Sequence, residues 1–119
     1  MYIEWLGEER KKISIKIDDI YCKHESNYDV YRNNYRNQMK NIQMYPIELY
    51  RTRQLAEVLI EQGKLYPIAL YKFREGYMCV DGHHRIKAYL FANYNAIPGI
   101  VYKDKEEALR AKAIPYTGV

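Results

Sequence analysis

Ile13-Ser14-Ile15-Lys16-Ile17-Asp18 alternates apolar and polar side chains at period two, the pattern of a half-buried strand. Asp18-Asp19 breaks the alternation, and residues 20–25 read as a loop or a short extended piece. Residues 26–45 show no clean period; Asn, Tyr and Arg dominate, with neither Gly nor Pro before Pro46. So long a structureless loop is out of place in a small domain, so the expectation is a short helix through Val30–Ile42. From Thr52, a plausible cap, Leu55, Val58, Leu59 and Gln62 fall on one helical stripe that Gly63 stops. Ile68–Phe73 reads as a strand, Arg74-Glu75-Gly76 as a compact turn, and Tyr77–Val80 as the second arm of a hairpin. A helix over about His83–Asn93, a strand over Ile97–Tyr102 and a last helix from Lys105 to about Lys112 follow. Pro98 places that last strand towards an edge or an end of its sheet. The predicted core is Leu55, Val58, Leu59, Ile68, Leu70, Ile86, Leu90, Ile97 and Val101, in an α+β (mixed α/β) domain.

The chemistry concentrates where the hairpin meets its helix, at Asp81-Gly82-His83-His84-Arg85. Asp81 is a plausible N-cap and Gly82 allows a tight turn, while Ile86, Tyr89, Leu90 and Asn93 mark successive helical turns. The first N–H groups of a helix lack partners within it and, with the helix dipole, favour an anion, commonly a phosphate. His83, His84, Arg85 and Lys87 crowd donors and positive charge onto the same turn. The residues themselves therefore predict a phosphate site at Asp81, Gly82, His83, His84 and Arg85. Two adjacent histidines leave a helix in different directions, so one is expected to face a ligand and the other to bond within the chain. A zinc site from His24, His83 and His84 lacks the His-Glu-x-x-His spacing, and the metal ligands stay unassigned.

Composition narrows the class. At 119 residues the chain is read as one domain, 1–119, with a core over about 13–110. No apolar run approaches the roughly 18 residues that span a bilayer, and no secretory signal opens the chain. The expected setting is therefore cytoplasmic, with Cys22 and Cys79 as reduced thiols. A net charge of +4 permits a nucleotide or nucleic-acid partner without requiring one. Six of the 14 tyrosines cluster between Tyr21 and Tyr50, interleaved with Arg and Asn, which suits either base stacking or a core edge and subunit interface. Tyr28–Lys40 lacks an apolar stripe and is expected to be mobile or to form an interface.

The ordered landmarks, from the helix ending at Gly63 through Pro67-Ile68, the hairpin, Asp81-Gly82-His83-His84-Arg85 and Ile97-Pro98, resemble the ParB/sulfiredoxin superfamily over roughly residues 13–110. The resemblance implies nucleotide phosphates at residues 81–85. Sulfiredoxin carries Gly-Cys-His-Arg there; His83 stands at its cysteine, so the resemblance implies no sulfur chemistry. Partition proteins carry Gly-Glu-Arg-Arg and continue into a helix-turn-helix. Free serine kinases of the superfamily carry Asp-Gly-His-His-Arg, identical to residues 81–85, and a His-Glu pair after the first strand, matched here by His24-Glu25. By that resemblance Glu25 is the general base that deprotonates an acceptor hydroxyl, with ATP, ADP or CTP and Mg²⁺ as cofactors. Asp18, Asp19 or Asp81 would help hold the metal. The expected function is a nucleotide-dependent small-molecule phosphotransferase or NTPase. The alternative is a DNA-associated ParB-like nuclease or a nucleotide-gated DNA-binding (partition) module. A homo-oligomer is compatible with both.

Overall fold

The computed structural model describes residues 12–23, 30–32 and 34–113. The hydrophobic handle read at Ile3, Trp5 and Leu6, the His24-Glu25 pair, Tyr28 and the Pro115 tail lie outside them. Six strands, β1 (Ile13–Lys16), β2 (Ile20–Lys23), β3 (Val30–Arg32), β4 (Ile68–Phe73), β5 (Gly76–Asp81) and β6 (Ala96–Tyr102), form one mixed sheet. Four helices, α1 (Asn34–Lys40), α2 (Pro46–Gln62), α3 (His83–Phe91) and α4 (Lys105–Ala113), accompany it. The strand order is β1-β6-β4-β5-β2-β3. β4 and β5 form the predicted antiparallel hairpin, while β4 pairs in parallel with β6 and β5 in parallel with β2.

Strand alternation sorts side chains to two faces, and each face has its own core. Ile68 and Leu70 of β4, Cys79 of β5 and Ile97 of β6 meet Tyr35 of α1, Leu59 of α2, and Ile86 and Tyr89 of α3. Ile100 and Tyr102 of β6 meet Ala108 and Ala111 of α4 on the opposite face. Each fully buried Ile or Leu contributes about 1.5–3 kcal/mol, so the larger cluster anchors α3, and with it the turn that opens α3. Leu59, Ile68, Leu70, Ile86 and Ile97 of the expected core are fully buried, with Leu90 and Val101 packed against them. Leu55 and Val58 are half-buried at the rim.

Several boundaries differ from the expectation. Thr52 is no cap: α2 begins at Pro46, whose fixed φ and missing N–H suit a first helical position, and Thr52 lies buried in mid-helix. Gly63 does stop α2, in the left-handed conformation, its N–H donating to the Leu59 carbonyl. Ile20–Lys23 is a sheet strand; Ile20, Tyr21 and Cys22 are all buried, so it carries no alternation to read. β6 lies inside the sheet between β1 and β4. Pro98 is tolerated because the register with β4 begins only at Gly99, leaving Pro98 paired with Ser14 of β1. Within Tyr28–Lys40 the described part is neither wholly loose nor wholly external. Val30–Arg32 is a strand, and Tyr35 of α1 is a core residue only 1 % exposed.

Candidate functional site

β5 ends at Asp81 and α3 starts at His83, so Gly82 makes the whole strand-to-helix turn. Its φ of 120° lies where side-chain-bearing residues rarely go, and a Cβ there would sit 2.3 Å from the Ile68 Cγ2. Both facts demand glycine. Gly82, not Asp81, occupies the N-cap, and it has no side chain with which to cap the helix. Intrahelical bonding begins with the Ile86 N–H on the Gly82 carbonyl, so the amides of His83, His84 and Arg85 form the first turn.

Asp81 is instead turned to Arg85, whose Nη2 donates to Oδ2 at 2.9 Å. The Arg85 Nη1 donates to the carbonyls of Tyr66 and Pro67 at 3.1 and 3.0 Å. Arg85 thus clamps the segment entering β4 to the turn leaving β5, with most of its side chain buried. The two histidines diverge, but both meet side chains of the chain, where one was expected to face a ligand. Tyr35 Oη lies 2.5 Å from His83 Nδ1 with the rings stacked, while His84 Nε2 faces the Glu48 carboxylate at 3.3 Å. Lys87, one turn further along α3, donates from Nζ to Glu48 Oε2 at 3.0 Å. Burial acts to raise the Glu48 carboxyl, but the bonds from Lys87 and His84 outweigh it and hold the group below the usual carboxylate range.

The site is therefore a helix start with glycine at its N-cap, ringed by His83, His84, Arg85 and Lys87, braced from α1 by Tyr35 and from α2 by Glu48. Asp81 through Arg85 form the turn from β5 into α3. Glu25 lies outside the described residues. Asp18 is not brought to this turn: it pairs with Arg36, which also donates to Asn95 beyond the C-terminal end of α3. Asp19 lies against Gly76 at the start of β5, the opposite end of that strand from Asp81. Glu48 and Tyr35 were missed because neither carries a local signal. Glu48 precedes the helix start read at Thr52, and Tyr35 is one of many tyrosines in the segment without a period.

The arrangement suits a phosphate, offering first-turn amides, a positive helix end and nearby cationic side chains. Mg²⁺ fits less directly. Both carboxylates at the turn, Asp81 and Glu48, are engaged by cationic or imidazole groups of the chain. Among the described residues no group of three His, Cys, Asp or Glu is placed to hold a metal ion. Among those residues, also, no helix is long and apolar enough to cross a membrane.

Comparison with known proteins places this geometry in a family. Sulfiredoxin from Arabidopsis thaliana superposes with a TM-score of 0.55 at 15% identity, covering 84% of this chain and 93% of that one. That likeness is one of fold. A search of the curated proteins finds no sequence match. Residues 29–115, most of the chain, match the family model of the ParB N-terminal domain. The chain belongs to the ParB N-terminal domain family.

Proposed function

We propose that the turn Asp81–Arg85 binds the phosphates of a nucleotide, and that the domain is a nucleotide-dependent small-molecule phosphotransferase or NTPase. The observation that carries this reading is the α3 start, with Gly82 at its N-cap and His83, His84, Arg85 and Lys87 around it. Phosphoryl transfer asks mainly for positioning and charge neutralisation, which backbone N–H groups and cationic side chains supply. In this reading the amides of His83–Arg85 hold phosphate oxygens, and Arg85 keeps the turn in shape. Lys87, already oriented by Glu48, adds positive charge. Mg²⁺ would arrive on the nucleotide rather than wait in a carboxylate cage, and ATP, ADP and CTP are the candidate nucleotides. Glu25 takes the acceptor hydroxyl's proton, a role supported by the resemblance of His24-Glu25 and Asp81-Gly82-His83-His84-Arg85 to free serine kinases.

The test is calorimetric titration of wild type, Arg85→Ala and Glu25→Gln with a panel of Mg·nucleotides, followed by phosphate-transfer assays. Binding is expected to weaken by about ten- to a hundredfold in Arg85→Ala and to be kept in Glu25→Gln, with turnover lost in both. A wild type that binds no nucleotide would remove this reading.

A second reading, a DNA-associated ParB-like nuclease or nucleotide-gated DNA-binding module, has its own observation. Tyr45 and Tyr50, 58 % and 62 % exposed, stand beside exposed Arg51 and Arg53 along the first half of α2. Exposed aromatics interleaved with Arg suit base stacking and phosphate contact. This reading requires DNA binding that weakens steeply with salt and drops in Arg51→Ala/Arg53→Ala. Salt-independent retention, or none, would exclude it.

A further inference from the structure

We propose that Tyr35 is a positioning residue that holds His83 as its Nε2–H tautomer, giving the turn a neutral imidazole whose proton donor is fixed in place. The proposal deepens the anion-binding reading of the Asp81–Arg85 turn and rests on it. Tyr35 and His83 are 48 residues apart, and the fold brings Oη to 2.5 Å from Nδ1. Their ring centroids lie 5.9 Å apart at an interplanar angle of 29°, so stacking and hydrogen bond together fix the imidazole plane. The phenol itself has little freedom, because it is 1 % exposed within the main core.

The direction of the hydrogen bond follows from the acceptors within reach. Besides Nδ1, the Tyr35 hydroxyl meets only the Cys22 and Cys79 thiols among the described residues. Thiol sulfur is a weak acceptor and an imidazole nitrogen a strong one, so the phenol O–H donates to Nδ1. Burial, followed by the neighbouring cysteines, pushes the Tyr35 hydroxyl far above its ordinary pKa, so the donor keeps its proton. Burial likewise pushes the Cys79 thiol up to about 12. A nitrogen that accepts carries no proton, which leaves the ring's single proton on Nε2. The turn thereby presents a donor without placing a full positive charge on the helix N-terminus.

Long-range ¹H–¹⁵N correlation NMR of the full chain reads the tautomer directly, with the His83 signals identified as those lost in His83→Gln. The wild type is expected to show unprotonated Nδ1 and protonated Nε2, and Tyr35→Phe, which keeps the ring, a mixture of tautomers. Protonated Nδ1 in the wild type overturns the proposal, as does an unchanged tautomer in a folded Tyr35→Phe. A second pair of variants needs no change at Tyr35: Gln places its side-chain N–H near the former Nε2, and Asn near the former Nδ1. In Mg·ATP titrations His83→Gln should stay within about threefold of wild type, while His83→Asn should weaken by about tenfold. Equal losses in the two overturn the directional role. Should Tyr35→Phe fail to fold, the wild-type tautomer and the Gln/Asn pair decide the matter. If wild type binds no Mg·ATP, the anion reading falls, and the NMR measurement still judges the Tyr35 assignment by itself.

Discussion

Arg85 is tied to three partners of its own chain, and this makes its role at the turn partly architectural. Replacing it by Ala leaves the Tyr66 and Pro67 carbonyls and the Asp81 carboxylate to find other donors. Charge-assisted bonds of this kind are worth about 1.5–3 kcal/mol, and we expect Arg85→Ala to lose an amount in that range by urea denaturation. Nucleotide affinity should fall with it, by about ten- to a hundredfold if the turn loosens. Arg85→Lys restores charge without the planar fork that reaches both sides, so it should recover little of the stability. Full recovery by Lys would show that charge, not the clamp, is what matters. Gly82 is the other residue with a single admissible identity. Gly82→Ala combines a φ of 120° with a Cβ 2.3 Å from Ile68 Cγ2, and should destabilise by about 2 kcal/mol or more. A thermal midpoint unchanged by Gly82→Ala would contradict this backbone geometry. Both residues stand in the Asp-Gly-His-His-Arg motif, so their importance was legible in the sequence. The Tyr66 and Pro67 partners of Arg85 were not, since hydrogen bonds to carbonyls leave no trace in residue type.

At the scale of elements, α2 and α3 are joined across the site by Glu48 with Lys87 and His84. The folded Glu48 carboxyl sits below its unfolded pKa, so folding favours the ionised form. Its contribution is complete above the ordinary carboxylate range and is lost as pH falls through the folded value. Comparing wild type with Glu48→Gln should therefore show a stability gap at about pH 7 that closes as the pH falls below the ordinary carboxylate range. The carboxylate is over a third exposed, so the gap should be small and should shrink with added salt. A gap that persists at low pH would assign the effect to packing instead. Thr52 offers a second test within α2. Its hydroxyl is fully buried, with no hydrogen-bond partner among the described residues. Thr52→Val removes that unpaired group at equal size and is expected to stabilise the domain by about 1 kcal/mol in urea denaturation. A loss of stability would mean that the hydroxyl is satisfied in solution, for instance by an ordered water.

Over the whole molecule, the sheet order puts β4, β5 and β6 inside, with helices on both faces, and leaves β1 and β3 at the edges. Amide hydrogen exchange should accordingly be slowest around Ile68–Leu70 and Ile100–Tyr102 and faster in β1, measured residue by residue. Fast exchange in β4 would contradict the sheet order. The hairpin, the Gly63 stop, the strand-turn-helix at residues 77–91 and most of the core were readable without coordinates. Each rests on a local rule: period two, period 3.6, a left-handed glycine, or a short turn between β-forming runs. The same rules failed at Pro46, which opens the helix whose start was read at Thr52, and at β2, where burial of successive residues hides the alternation. They also placed Pro98 too near an edge, because where the β4 register begins is a property of another strand. The sequence by itself thus determined the elements and the one turn whose residues carry the chemistry, since both depend on neighbours along the chain. Only the tertiary structure decided what surrounds that turn: Tyr35 against His83, Glu48 between His84 and Lys87, and Arg85 across to β4. These contacts join residues 18 to 48 positions apart, and it is sheet order and helix packing that set which of them meet.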